Sequence, residues 1–515
     1  MTSTTPATQK PAPTRTPAQH LLVLALLGTL MLGILDMNIV TAAATSIGST
    51  LDPANGVSRV PWLVTAYVLA SCVVQPIYGK LADRHGAKPV FLSTLGLFIG
   101  GSLLCGIARS MEELIAFRAL QGLGGGGLMS VTFIVFGHLV AESGEARQTS
   151  SLAGLMVGFG LVVGPLLGGL LVDHAGWRWV FLVNLPLAAA AWLVVARTLH
   201  LEEVRGTSQV DPLGASLLAL TAAAVLLACE WGGRRYGWGS AQILGLAAAA
   251  VVLGAAFARR QATAREPFFP PHLLRHRILR VVTVLQVVAG IGLASSVVYL
   301  TLDLQLVRGV SPSSTGLHLV PMAFGMALGA TYGARLIRNG GPVRAAIAGG
   351  QVVAGLALLV LAATGSGVHS SGIALAIGLF LFGAGFGTGL GNELILVQTS
   401  VDRTDLGMAT SGLRFVETIG AAVGAAAFGV LFASITRRAD SAAAIAGALH
   451  WVFAVGGVML LLAAVVAMRL PDVRFRDGRL VGSRTPDAEH APEGDAGTTE
   501  GPASQPGDEA LVRPA

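Results

Sequence analysis

Gly79-Lys80-Leu81-Ala82-Asp83-Arg84-His85-Gly86-Ala87-Lys88 closes one long apolar run, and Gly333-Ala334-Arg335-Leu336-Ile337-Arg338-Asn339-Gly340-Gly341-Pro342 closes another. Laid over each other, Gly79, Arg84 and Gly86 fall on Gly333, Arg338 and Gly340 at one constant offset. A polar loop repeated after runs of the same direction marks a chain made of two related halves, with any binding site between them. Counted in apolar runs, the offset spans eight rather than six. Two helices, about 211–258, therefore read as inserted between the halves.

Working outward, the runs lie near 20–46, 59–79, 89–108, 113–139, 149–173, 177–198, 211–230, 240–258, 281–305, 314–335, 343–363, 371–397, 405–434 and 448–469. Each approaches or exceeds the roughly 20 residues that cross a hydrocarbon core. Charged residues make up 12% of the chain against 53% apolar, about half the charge of a soluble domain. In lipid the backbone must pair within each segment, so spans of this length are helices. The expected fold is an all-α membrane protein with about fourteen spans: two six-helix bundles, 20–198 and 281–470, and an inserted pair within 199–260. A basic loop, 261–280, follows the pair. Residues 1–19 and 471–515, poor in large apolar side chains, read as a short N-terminal tail and a disordered C-terminal tail. With the N-terminus cytoplasmic, the 34 Lys and Arg divide roughly three to one in favour of that side. Both termini are then cytoplasmic. Cys72, Cys105 and Cys229 sit within apolar runs and read as small buried hydrophobes.

The segment Gly79 to Lys88 resembles the loop signature G-x-L-A-D-R-x-G-x-[KR] of the major facilitator superfamily. Three more segments resemble its 14-helix drug:proton antiporter branch. Arg118-Ala119-Leu120-Gln121-Gly122-Leu123-Gly124-Gly125 is similar to the fourth-helix motif. Gly160-Leu161-Val162-Val163-Gly164-Pro165-Leu166-Leu167-Gly168-Gly169 is similar to the fifth-helix antiporter motif, whose glycine spacing gives a smooth face for helix contact. Trp177-Arg178-Trp179-Val180-Phe181-Leu182-Val183-Asn184-Leu185-Pro186 is similar to the branch's entry to the sixth helix. The first helix departs from the pattern: Leu35-Asp36-Met37-Asn38-Ile39-Val40-Thr41 keeps the acid but exchanges the polar residues around it. In the second half Ile337 stands where the loop signature has an acid. The resemblance implies that Gly79, Asp83, Arg84, Gly86 and Lys88 hold the outward-open state, while Gly160, Gly164, Pro165, Gly168 and Gly169 shape the fifth helix.

Ionisable residues inside spans are the other signal, since each costs roughly 2.5–3.5 kcal/mol at a helix centre on insertion scales. Asp36, about sixteen residues into the first span, is the deepest acid of the first half and the expected proton carrier. Arg118 is its expected counter-charge. Arg414 and Glu417, three residues apart, share a helix face, where they neutralise each other or serve the cavity. Glu393, beside Asn392, has no basic partner in register on its own helix. Asp303 lies near the outer end of the ninth span and reads either as a proton site or as a group facing outside water. Proton coupling is thus expected among Asp36, Arg118, Glu417, Glu393 and Asp303. Asn38, Thr41, Tyr67, Gln121, Asn392 and Arg414 are the expected lining of a substrate cavity.

There is no phosphate-binding loop, no metal-ligand spacing and no nucleophile elbow, so neither ATP, a cofactor nor a catalytic reaction is expected. Basic residues are scattered through short loops, which excludes a nucleic-acid partner. The resemblance implies a proton-driven exporter of amphipathic drugs, dyes or antibiotics in a bacterial plasma membrane. The alternatives are a dedicated exporter of one self-made metabolite and, from a different class, an enzyme or receptor on a transporter scaffold.

Overall fold

The computed structural model describes residues 17–53, 59–143, 160, 163–164, 167–199, 211–233, 235–264, 267, 275–310, 312–365, 372–402, 405–436, 442–476 and 479–482. In the first half these form α1 (Pro17–Leu51), α2 (Pro61–His85), α3 (Ala87–Ile107), α4 (Met111–Ser143), the short α5 (Trp179–Leu182) and α6 (Asn184–Thr198). The inserted pair is α7 (Pro212–Trp231) and α8 (Ala241–Thr263). The second half holds α9 (Arg277–Leu302), a π-helical turn (Asp303–Val307), α10 (Pro312–His318), α11 (Val320–Arg338), α12 (Val343–Gly365), α13 (Gly372–Gln398), α14 (Leu406–Thr436) and α15 (Ala442–Ala467).

Among the described residues, 12 helices are long and apolar enough to cross a membrane. Two expected spans are not among them. Most of 149–173, Pro165 included, lies outside the described residues. The expected 314–335 is divided: α10 ends at His318 and α11 begins at Val320, with Pro321 at its start. Proline has no N–H to continue a helix but suits its first turn, so a new helix starts there. In the sixth span Val183, at helical φ and ψ, separates α5 from α6.

Packing repeats with the sequence. In the first half α4 packs on α2 and α3, and α6 on α1 and α3; in the second half α13 packs on α11 and α12, and α15 on α9 and α12. The two loop glycines match in conformation as well: Gly86 has φ 87° and Gly340 φ 79°, a region an L side chain seldom adopts. Lipid gives helices no hydrophobic reason to associate, so close contact and polar pairing must hold them. Gly79 shows how close: a Cβ there would stand 2.7 Å from the Gly407 carbonyl oxygen on α14.

The apolar interior has an uneven plan. One cluster joins the halves at the end bearing the Asp83 loop, with Tyr78, Ala82 and Phe136 from the first half and Ile278, Val397 and Leu413 from the second. At the opposite end the cores are separate. Leu35, Ile47, Leu63 and Phe181 belong to one, and Tyr299, Leu304, Phe382 and Phe428 to the other. The molecule is closed at the loop end and divided at the far end.

The inserted pair touches both halves. Although α8 has only 6% of its span buried, α7 packs on both α2 and α14, one from each half. Its last residue, Trp231, meets Trp62 of α2 edge to face at 5.7 Å. Asp211, just outside the span, is gripped by Arg260 at 2.8 Å, which holds its carboxyl below the usual range. The C-terminal segment, expected to be disordered from 471, begins with an antiparallel hairpin of β1 (Val473–Arg476) and β2 (Arg479–Gly482). Beside it, Asp472 pairs with Arg344 at 3.5 Å.

Candidate functional site

Asp36 sits in the middle of α1, where lipid offers nothing to an ionised group. Arg118 and Gln121, one turn apart on α4, face it together. Arg118 Nη1 donates to Asp36 Oδ2 at 2.6 Å, and Gln121 Nε2 donates to Asp36 Oδ1 at 2.8 Å. Asn184, the first residue of α6, donates to the same Oδ1 at 2.7 Å. Arg118 also donates to Gln121 Oε1 at 2.7 Å and, through Nε, to the Leu63 carbonyl of α2 at 3.0 Å. Gln121 Nε2 reaches Ser102 on α3 at 2.7 Å. Tyr67 covers the guanidinium, its ring centroid 4.3 Å from Cζ. Asp36, Arg118 and Gln121 are 0% exposed.

A buried ion pair is stable only when its remaining donors and acceptors are met. Here the carboxylate has three donors, and the guanidinium has a carboxylate, an amide and a carbonyl. Among the polar atoms of these side chains, Arg118 Nη2 is buried without a partner. The network ties α1, α2, α3, α4 and α6 together. The expected pairing of Asp36 with Arg118 is observed. Tyr67 and Gln121, expected to line a cavity, are instead enclosed in that network. Asn38 turns to its own helix, donating to the Ile34 carbonyl at 2.8 Å. Thr41 lies on the same helix, its side chain outside the described residues.

The fifth-helix glycines abut this part of α1. A Cβ on Gly160 would stand 2.8 Å from Ile34 Cγ2, and one on Gly164 2.5 Å from Asn38 Cβ. The smooth face read from the sequence therefore presses on the helix turns on either side of Asp36. Gly168 and Gly169 continue the helix, and a Cβ on Gly169 would meet nothing within 4 Å.

At the closed end Asp83 reaches across to the other half. Its Oδ1 accepts the Gly407 N–H at 2.8 Å and its Oδ2 the Met408 N–H at 2.9 Å. These are first-turn amides of α14, which have no partner within the helix. They also form the positive end of its dipole. Lys80 Nζ lies 3.5 Å from the Pro267 carbonyl oxygen, and Gln398 Nε2 donates to the Phe133 carbonyl at 2.9 Å, again across the halves. Arg84 is exposed and Lys88 half-buried. Ile337, the counterpart of Asp83, is buried among apolar residues.

In the second half, Arg414 Nη1 pairs with Glu417 at 2.6 Å. Glu393, 1% exposed, is hydrogen-bonded by Gln351 of α12 and lies in the field of Glu417 and Arg414. Asn392, expected in the cavity, instead donates to the Thr388 carbonyl of its own helix at 2.6 Å. Asp303 is not a water-facing acid: it is 2% exposed and held by Arg308 at 2.8 Å across the π-helical turn. Asn184, Ser102, Gln351, Gln75 and Thr418 were not singled out from the sequence. A lone amide or hydroxyl in an apolar run was the available signal.

A family model described as Major Facilitator Superfamily matches residues 25–260. Multidrug transporter protein MdtP of Bacillus subtilis (strain 168) is 33% identical over 411 residues, 80% of this chain and 75% of that one. Multidrug resistance protein 3 of the same organism is 29% identical over 79% of this chain and 78% of its own length. Among solved structures, the human organic anion transporter MFSD10 (TETRAN) is similar with a TM-score of 0.63 at 17% identity, over 88% of this chain and 100% of that one.

Proposed function

The chain belongs to the Major Facilitator Superfamily, and from that premise we propose that it exports amphipathic drugs, dyes or antibiotics across a bacterial plasma membrane in exchange for inward-moving protons. It is a multi-pass membrane transporter of small molecules, not an enzyme. In this reading both termini are cytoplasmic, the Asp83 loop is at the cytoplasmic face, and the described conformation is the outward-facing one. Six-helix bundles at 20–198 and 281–470 rock about a site between them, and relatives named as a multidrug transporter and a multidrug resistance protein support the substrate class.

The observation that carries the coupling is the enclosed Asp36–Arg118 pair with its amide partners. Asp36 is surrounded by donors, so a proton arriving on it must displace one of them. Removing the charge also removes the attraction that holds Arg118. Arg118 grips α2 at Leu63, and the same helix carries Asp83 at its other end. At 1.5 Å per residue the two points are about 30 Å apart on one helix, with Pro76 between them. Protonation at Asp36 thereby loosens the hold on the helix that latches the far end. Glu393 and Glu417 are the next acids in line for the proton. Asp303, paired with Arg308, is the remaining candidate.

The test is substrate-dependent proton movement by the full chain in proteoliposomes, over a panel of cationic and neutral drugs. Protons should move opposite to the drug. Movement in the same direction would make it a symporter, and response to a single compound would make it a dedicated exporter.

A further inference from the structure

Two spans of the second half, α9 and α15, meet at the closed end. Ile278 and Leu279 at the start of one, and Ala467 and Leu470 at the end of the other, enter the cluster that joins the halves there. The contact is direct: Arg277 Nε donates to the Arg469 carbonyl oxygen at 2.9 Å. Further into the spans, a Cβ on Gly292 of α9 would stand 3.5 Å from Leu460 Cδ2 of α15. The two helices therefore run side by side and share an outer surface.

That surface has a charged head and an apolar body. Arg275, Arg277, Arg280 and Arg469 are all exposed. Arg277, Arg280 and Val284 follow one another at helical spacing along α9, and Leu462, Val465 and Arg469 do the same along α15. Val284, Leu462 and Val465 are exposed as well, so each stripe is apolar within the span and ends in arginine. Side chains on a helix lean toward its N-terminus, which carries Arg280 back toward the level of Arg277. Among the described residues no carboxylate pairs with any of these arginines. The first turn of α9 holds no acid, and Asp472, the acid nearest Arg469 in sequence, is engaged by Arg344 at 3.5 Å. Cations gathered at the positive end of a helix repel it and one another. An anion placed among them relieves both.

We infer that Arg277, Arg280 and Arg469 bind the headgroup of an anionic phospholipid in the leaflet at the closed end, with an acyl chain lying along Val284, Val465 and Leu462. A guanidinium meets a phosphate through parallel N–H donors, and Arg277, its Nε committed to Arg469, keeps both Nη groups for that purpose. A zwitterionic lipid brings its own cation to the same level and gains less. A free phosphate gains the charge but leaves the apolar stripes unused, and the stripes are what commit the site to a lipid. Both helices belong to the second half, so the lipid stays with that half whichever end is open. The inference goes beyond the exporter reading and depends on neither its substrate nor its direction.

The test is lipid binding by the full chain in nonionic detergent, titrated with phosphatidylglycerol or with phosphatidylcholine and read by native mass spectrometry. The wild type should prefer phosphatidylglycerol. Each arginine at an anionic headgroup is worth about five-fold, so Arg277→Gln combined with Arg469→Gln should weaken phosphatidylglycerol about twenty-five-fold and leave phosphatidylcholine unchanged. Misfolding would lower both lipids alike. Arg280→Gln, whose side chain makes no hydrogen bond among the described residues, should weaken phosphatidylglycerol about five-fold by itself, which keeps the test decisive if the double variant does not fold. Arg259→Gln removes an exposed arginine of α8 outside this surface and should change nothing. Glycerophosphoglycerol, the same headgroup without acyl chains, should not displace the lipid, and neither should inorganic phosphate. A wild type without the preference overturns the inference. So do full binding by Arg280→Gln, an equal loss in Arg259→Gln, or displacement by either soluble anion.

Discussion

Asp83→Asn tests the closed end with the least disturbance of shape. The carboxylate receives two first-turn N–H groups of α14, at 2.8 and 2.9 Å. The amide keeps one acceptor oxygen and turns an NH2 group toward the other N–H. Losing a hydrogen bond to a charged group costs about 1.5–3 kcal/mol, and a charge at a helix N-terminus is worth about 0.3–1 kcal/mol more. Part of the first sum returns as the freed N–H finds water when the end opens. A net shift of about 2 kcal/mol is expected, a factor of about 30 in the ratio of open to closed. A wild-type open fraction on the order of 1% would then rise to about a quarter.

Spin labels at Pro89 on α3 and Arg335 on α11 lie at this end on opposite halves. After Cys229→Ser, pulsed electron resonance gives the distance distribution directly. The long-distance population should grow in Asp83→Asn at unchanged thermal stability, while substrate binding survives and transport falls sharply. Distributions that superpose within a factor of two would reduce the loop to an ordinary turn. The Asp83 contact with α14 would then be a consequence of closure rather than a cause.

Three further outcomes follow from the same geometry. Asp36→Asn should abolish drug accumulation driven by a pH gradient yet leave downhill exchange; a variant that still builds a gradient would move coupling to Glu417 or Glu393. Reporter fusions after Asp211 and after Pro471 should both read cytoplasmic, and an external signal at Pro471 alone would mean a miscounted span in the second half. A double-mutant cycle on Trp62→Ala and Trp231→Ala should return a coupling of about 1 kcal/mol in thermal unfolding, whereas independent effects would show that α7 is not held to α2 through this ring pair.

Lipid makes some features easy to read and hides others. Long apolar runs announce themselves because a span has no alternative, and the repeated loop stands out because its charges break those runs. Asp36 and Arg118 were legible for the same reason. What Asp83 touches was not, because Gly407 and Met408 offer only backbone N–H groups, which every residue has. Gln121 and Tyr67 read as cavity residues because a polar side chain in a span looks available until its partners are known. Asn184 gives only a weak signal in the sequence, since a neutral amide costs far less in a span than a charge. The hairpin at Val473–Gly482 had a local signal as well. Asp477-Gly478 lies between the paired Arg476 and Arg479, a strong short-range mark of a two-residue turn.

The repeat is also imperfect where a transporter has reason to be imperfect. Gly86 and Gly340 both keep a positive φ, but Asp83 faces α14 while its counterpart Ile337 is packed among apolar side chains. Two carboxylate contacts of about 2 kcal/mol each would favour the closed end by about 4 kcal/mol, close to a thousand-fold. A cycle must visit both conformations, and a gap of that size would leave the open one too sparse for turnover. A single contact keeps the bias within reach of one proton. Restoring an acid at the second loop, Ile337→Asp, should therefore slow transport rather than improve it, through a buried charge with no established partner or through an over-stable closed end. The spin-label distances separate the two: a smaller long-distance population means over-stabilisation, and a larger one means a disrupted loop.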